Sequence, residues 1–94
     1  MFIVYILKSE ILNRFYTGFT TNLEKRLQFH REAATQKFTG KAADWELFHT
    51  IECESKSQAL AIEQHIKKMK SKVYILNLKK YPELCRKLLS RYGS

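Results

Sequence analysis

Residues 1–20 read MFIVYILKSEILNRFYTGFT, and the reading of this stretch decides the fold. Residues 2–7 are apolar throughout, which predicts a strand buried on both faces rather than one. Residues 14–20 form a second run rich in aromatic and β-branched side chains, after a polar turn around Ser9, Glu10 and Asn13. The two runs predict a hairpin. With Lys8 pairing near Asn13, Tyr5 falls opposite Tyr16 and Ile3 opposite Gly18, so the two phenols share a face. A slip of one residue in this register would part the rings.

The hairpin runs directly into TTNLEKRLQFHREAA, where Thr21 followed by Glu24 is a capping-box signature and Leu23, Leu27 and Ala34 recur at helical spacing. On the predicted helix Arg26 and His30 are one turn apart on one face. A basic loop, TQKFTGKAAD, leads to WELFHTIEC, where Trp45, Leu47 and Ile51 alternate with Glu46, Thr50 and Glu52 and predict a third strand. The segment SKSQALAIEQHIKKMK then predicts a helix with Ser55, Ser57 or Gln58 available for its cap. Ala59, Ile62, Ile66 and Met69 make its apolar stripe, and Glu63 lies on the edge of that stripe, where a carboxylate loses part of its water. The run SKVYILNLKK fits a helix or a strand by pattern; a helix is preferred because it follows a lysine-rich helix end. Pro82 suits the first turn of a last helix over about 83–91, which carries Leu84, Leu88 and Leu89.

The 94 residues are expected to form one domain around one core. Lys and Arg number 17 against 9 Asp and Glu, a net charge of +8. That excess attracts polyanions, nucleic acid above all. The run from Phe2 to Leu7 is cut short by Lys8, which excludes a membrane span or secretory core there and predicts a cytosolic protein. Cys53 and Cys85 have no CxxC pairing and no zinc-finger histidine spacing, so both read as small apolar residues. His49 and His65 are read as structural.

The order VYI, YTG, LEKRLQFH, WEL and ALAIEQHIK, spanning Val4 to Lys67, resembles the motif series of the GIY-YIG nuclease family, and in particular its small single-domain members. Val4 stands where the first triplet usually has glycine, Thr17 where the second has isoleucine, and Phe19 where some members have lysine. The resemblance implies a mixed α/β fold, a three-stranded, largely antiparallel sheet flanked by helices, and metal-dependent cleavage of a phosphodiester. Position by position it implies catalytic roles for Tyr5, Tyr16, Arg26, His30 and Glu63, with Glu63 as ligand to Mg²⁺ or Mn²⁺ and Asn77 as a polar residue near the site.

The implied chemistry needs these residue types. Phosphodiester hydrolysis builds negative charge on the phosphorus and leaving oxygens, so the enzyme must place positive charge there. One carboxylate suffices for a hard cation that keeps most of its waters and takes phosphate oxygens as ligands. The Arg26 guanidinium is a permanently charged fork matched to two phosphate oxygens. A phenol with a pKa of about 10 is ionised in only about one part in a thousand at pH 7, so a tyrosine base needs nearby positive charge. Tyr5 is expected to take the water proton, Tyr16 to position it, and His30 to relay a proton or hold a phosphate. Gly18 leaves room near the rings. Lys37, Lys41, Lys67, Lys68, Lys70, Lys72, Lys79 and Lys80 are expected to meet DNA phosphates.

These readings together predict a divalent-metal-dependent DNA endonuclease, monomeric, serving repair, recombination or the processing of branched DNA. With no appended sequence-reading domain, DNA structure or a protein partner is expected to direct it. The contrasting expectations are a noncatalytic nucleic-acid-binding module on the same fold, and a small adaptor whose charge serves an acidic protein.

Overall fold

The computed structural model describes residues 1–29 and 44–93. Three strands, β1 (Phe2–Ser9), β2 (Arg14–Thr20) and β3 (Glu46–Cys53), form one sheet in the order β2-β1-β3. Both pairings are antiparallel. Residues 23–29 are helical and are called α1; α2 (Lys56–Met69), α3 (Lys72–Lys80) and α4 (Pro82–Arg91) complete the described fold. The mixed α/β architecture predicted from the sequence is the one observed.

β1 is the middle strand, and Val4, Tyr5, Ile6 and Leu7 in succession are buried, as their unbroken apolar run requires. Val4 and Ile6 join Ile51, Cys53, Ala59, Ile62, Ile66, Ile75, Leu78 and Leu88 in the core that α2, α3 and α4 cover. Met69 was expected on the α2 stripe but is exposed, because the helix ends there and Lys70 turns the chain through a left-handed conformation. The segment 71–80 folds as the preferred helix, with Ser71 accepting the Tyr74 amide as its cap.

The hairpin register differs from the expected one by two residues. Tyr5 lies opposite Gly18, and Tyr16 opposite Leu7. The strands run on to a Ser9↔Arg14 pair, leaving a Glu10–Asn13 turn in which Asn13, at φ 51°, donates its amide to the Glu10 carbonyl. Asp44 fastens this turn from outside: its carboxylate accepts the Ser9 hydroxyl at 2.7 Å and the Ile11 amide at 3.0 Å. Both hydrogen bonds stabilise the charged form and hold the Asp44 pKa below the usual carboxylate value. A shift of two keeps every side chain on its expected face, so Tyr5 and Tyr16 meet diagonally instead of directly.

Two further expectations are corrected. Asn22, rather than Thr21, caps α1, its side-chain oxygen accepting the Lys25 amide at 3.1 Å. In β3, an irregularity against Ile6 and Leu7 places Leu47 opposite Leu7, skipping Phe48. Leu47 therefore points outward at 43% exposure, while Phe48 packs against the core.

Candidate active site

Each side chain of the site comes from a different element, and the hairpin supplies the first two. Tyr5 is 1% exposed on the central strand, whereas Tyr16 on the neighbouring edge strand is 43% exposed. Their ring centroids are 6.2 Å apart and tilted by 35°. Gly18 makes this possible: a Cβ there would sit 2.5 Å from the Tyr5 hydroxyl oxygen and 2.6 Å from its Cζ. The Tyr5 ring thus lies directly over the β2 backbone, which only a residue without a side chain permits.

α1 and α2 bring charge to the two phenols. Arg26 is exposed on α1, its guanidinium 5.8 Å from the centre of the Phe29 ring. Glu63 is buried on α2, on the edge of the Ala59, Ile62 and Ile66 stripe as expected, and its carboxylate is 3.4 Å from the Lys67 ammonium one turn on. Arg26 and Glu63 both act electrostatically on the Tyr5 phenol. Burial is the largest influence on that phenol and pushes its pKa well above the ordinary tyrosine value. Tyr16 reinforces the rise through its charge and a hydrogen bond, Arg26 opposes it, and Glu63 adds a little more. Arg26 alone therefore does not bring the Tyr5 pKa down; loss of water outweighs the guanidinium.

Beside Tyr16 runs a groove of about 1050 Å³, lined among others by Arg14, Tyr16, Ile66, Lys67, Lys70 and Lys72. Three of the expected phosphate contacts, Lys67, Lys70 and Lys72, are in its wall. Arg14 was not singled out from sequence; it stands two residues before Tyr16, a strand spacing that puts both on one face. Asn77 is not among the residues lining this groove, and its carbonyl accepts the Tyr81 amide at the end of α3. His30, Lys37 and Lys41 lie outside the described residues.

The donors fit a divalent ion of the hard, water-retaining kind. Among the described residues no three His, Cys, Asp or Glu side chains cluster to form a metal cage. Glu63 offers a single, nearly enclosed carboxylate, at 12% side-chain exposure, next to a cationic groove suited to phosphate. That donor set suits Mg²⁺ or Mn²⁺ held by one carboxylate, waters and substrate oxygens.

His49, His65 and the two cysteines find their partners within the fold. His65 Nδ1 is 3.0 Å from the Tyr92 hydroxyl, and its ring packs on Tyr74 and Tyr92. His49 Nε2 is 3.4 Å from Cys85 Sγ. Burial lowers the pKa of both histidines and raises that of both cysteine thiols. Among the described residues no helix is long and apolar enough to cross a membrane.

Comparison with known proteins agrees with this geometry. A UPF0213 protein of Natronomonas pharaonis is 41% identical over 54 residues, which are 57% of this chain and 64% of that relative. A UPF0213 protein of Oceanobacillus iheyensis is 36% identical over 66 residues, 70% of this chain and 76% of the relative, and one of Clostridium perfringens is 38% identical over 66 residues, 70% of each. The chain thus spans less than two thirds of the archaeal relative's length. No solved structure matches. Residues 1–80 match the family model described as the GIY-YIG catalytic domain. That match takes in the hairpin, α1, β3, α2 and α3, and the chain belongs to the GIY-YIG family.

Proposed function

We propose that this protein is a divalent-metal-dependent endonuclease that hydrolyses DNA phosphodiester bonds in the cytoplasm, in repair, recombination or the processing of branched DNA. DNA structure or a protein partner directs it. The observation that carries this reading is the placement of the Tyr5 and Tyr16 rings, 6.2 Å apart, beside a groove lined by four cationic side chains, one of which, Lys67, reaches the buried Glu63 carboxylate at 3.4 Å.

The burial that keeps the proton on Tyr5 exchanges the parts expected of the two rings. Tyr16, exposed at the groove, is the phenol that water and substrate reach; its oxygen orients the attacking water and, as the phenolate, accepts that water's proton to become the neutral phenol. Tyr5, fixed under it, positions that oxygen. Arg26 clamps two oxygens of the scissile phosphate and stabilises the charge that builds on them. Glu63 holds the divalent ion, which when bound supplies further positive charge at the phosphate. His30, one turn along from Arg26 in sequence, relays a proton or holds a phosphate. Arg14, Lys67, Lys70 and Lys72 hold the flanking strand.

The deciding experiment incubates the protein with supercoiled, linear and branched DNA in Mg²⁺, Mn²⁺ or chelator, beside Glu63→Ala and Arg26→Ala. Metal-dependent nicking by the wild type, lost in both variants, is the expected result. Salt-sensitive binding without nicking in either metal would instead make the chain a binding module.

A further inference from the structure

Lys67 belongs to two places at once. Its ammonium is 3.4 Å from the Glu63 carboxylate, and the same side chain lines the groove with Arg14, Lys70 and Lys72. We propose that Lys67 is a latch on Glu63 that substrate phosphate opens, so that nucleic acid in the groove and a divalent ion on Glu63 each promote binding of the other. The proposal rests on the reading of Glu63 as the metal ligand.

Three features of the pair support the latch. Glu63 precedes Lys67 by four residues, the more favourable orientation for a helical ion pair, so the contact forms readily when the groove is empty of anions. Its separation exceeds the 2.7–2.9 Å usual for a tight charge-assisted hydrogen bond, so the pair is readily exchanged. The two ends are also unequal: Glu63 is 12% exposed and Lys67 is 47% exposed. The lysine is therefore the partner free to swing, and the carboxylate is the one that stays.

The consequence follows from charge. A phosphate in the groove offers Lys67 a second anion, in company with Arg14, Lys70 and Lys72. When Lys67 turns to it, Glu63 is left as a nearly enclosed carboxylate without its cation, an unfavourable state that a divalent ion relieves. In the other direction, a divalent ion on Glu63 repels the ammonium and frees it for phosphate. Coupling of two binding equilibria is reciprocal. Without substrate, Lys67 competes with the metal; with substrate, the competition ends.

The test reads metal binding rather than cleavage. Loss of the free Mn²⁺ electron paramagnetic resonance signal gives the Mn²⁺ affinity of the wild type, Lys67→Gln, Lys70→Gln and Glu63→Gln, each as the full chain without DNA. Removing a half-exposed ion pair is expected to tighten Mn²⁺ binding by Lys67→Gln about two- to fivefold. Lys70→Gln removes the same charge from the same groove and is expected to shift it by less than half as much. Fluorescence anisotropy of a labelled phosphorothioate duplex, in Mn²⁺ and in chelator, then gives the coupling, which is expected to be smaller in Lys67→Gln than in the wild type. Equal Mn²⁺ affinity in wild type and Lys67→Gln, with binding lost in Glu63→Gln, overturns the latch and leaves Glu63 as the ligand. Unchanged Mn²⁺ binding in Glu63→Gln overturns the ligand assignment itself.

Discussion

Tyr5 and Gly18 face each other across the hairpin, and the tyrosine ring occupies the space where any other residue at 18 would carry its Cβ. Gly18→Ala should therefore displace Tyr5 rather than the β2 backbone, at a cost of about 1–3 kcal/mol for overpacking. Denaturant unfolding of Gly18→Ala, Tyr5→Leu and the double variant checks this. The alanine should cost less in the Tyr5→Leu background, because the crowded atoms are those of the ring. Equal costs in both backgrounds would show that the glycine answers to something else.

Arg26 is exposed on α1, its guanidinium 5.8 Å from the centre of the Phe29 ring, so its replacement should spare the fold. Arg26→Lys is expected to keep stability within about 0.5 kcal/mol of wild type. It is also expected to lower nicking by about tenfold or more, since an ammonium cannot hold two phosphate oxygens in one plane. Thermal melting and plasmid nicking of the same preparation separate the two effects. A large fall in melting temperature would instead assign Arg26 a structural part.

Tyr5 also fixes a pH dependence. Its pKa is higher in the folded chain than in the unfolded one, so the folded state holds the proton more tightly. The sign follows: Tyr5 contributes no pH dependence well below pH 10, and above it the unfolded state ionises first and stability falls. The fall approaches about 1.4 kcal/mol per pH unit for one such group. Tyr5→Phe should accordingly lose less stability than wild type between about pH 10 and pH 12. Urea unfolding at steps across that range measures the difference; parallel curves would mean that the phenol ionises freely in the fold.

The groove predicts how binding responds to salt. Arg14→Ala and Lys70→Ala should each reduce the slope of log affinity against log salt by about 0.9 on duplex DNA, one phosphate contact apiece. Lys56→Ala, on the opposite end of α2 and absent from the groove lining, should leave the slope unchanged. Anisotropy titrations at four salt concentrations in chelator give these slopes without cleavage.

Much of this was legible in the sequence because it depends on periodicity. The buried run of β1 and the edge position of Glu63 on α2 follow from side-chain spacing, and both hold in the structure. What periodicity cannot supply is the point at which a pattern starts. The hairpin register was set by where the turn closes, and the left-handed Asn13 together with Asp44, over thirty residues away, decided that. The same holds at Phe48, where one skipped residue turned Leu47 outward against an otherwise regular alternation. Arg14 was invisible as a groove residue because the start of β2 and the start of α3 become neighbours only after folding. Nor does residue type alone reveal that the two tyrosines differ in their access to water.

That difference in access has a dynamic side. Tyr5 belongs to the strand hydrogen-bonded on both edges, so its amide should exchange with solvent only when the whole sheet opens. Tyr16 belongs to an outer strand, paired on one side alone, and can be exposed by local fraying. One phenol of the pair is thus tied to the slowest opening event of the molecule and the other to a much faster one. Heating should disturb the side of the pair that faces substrate before the protein melts.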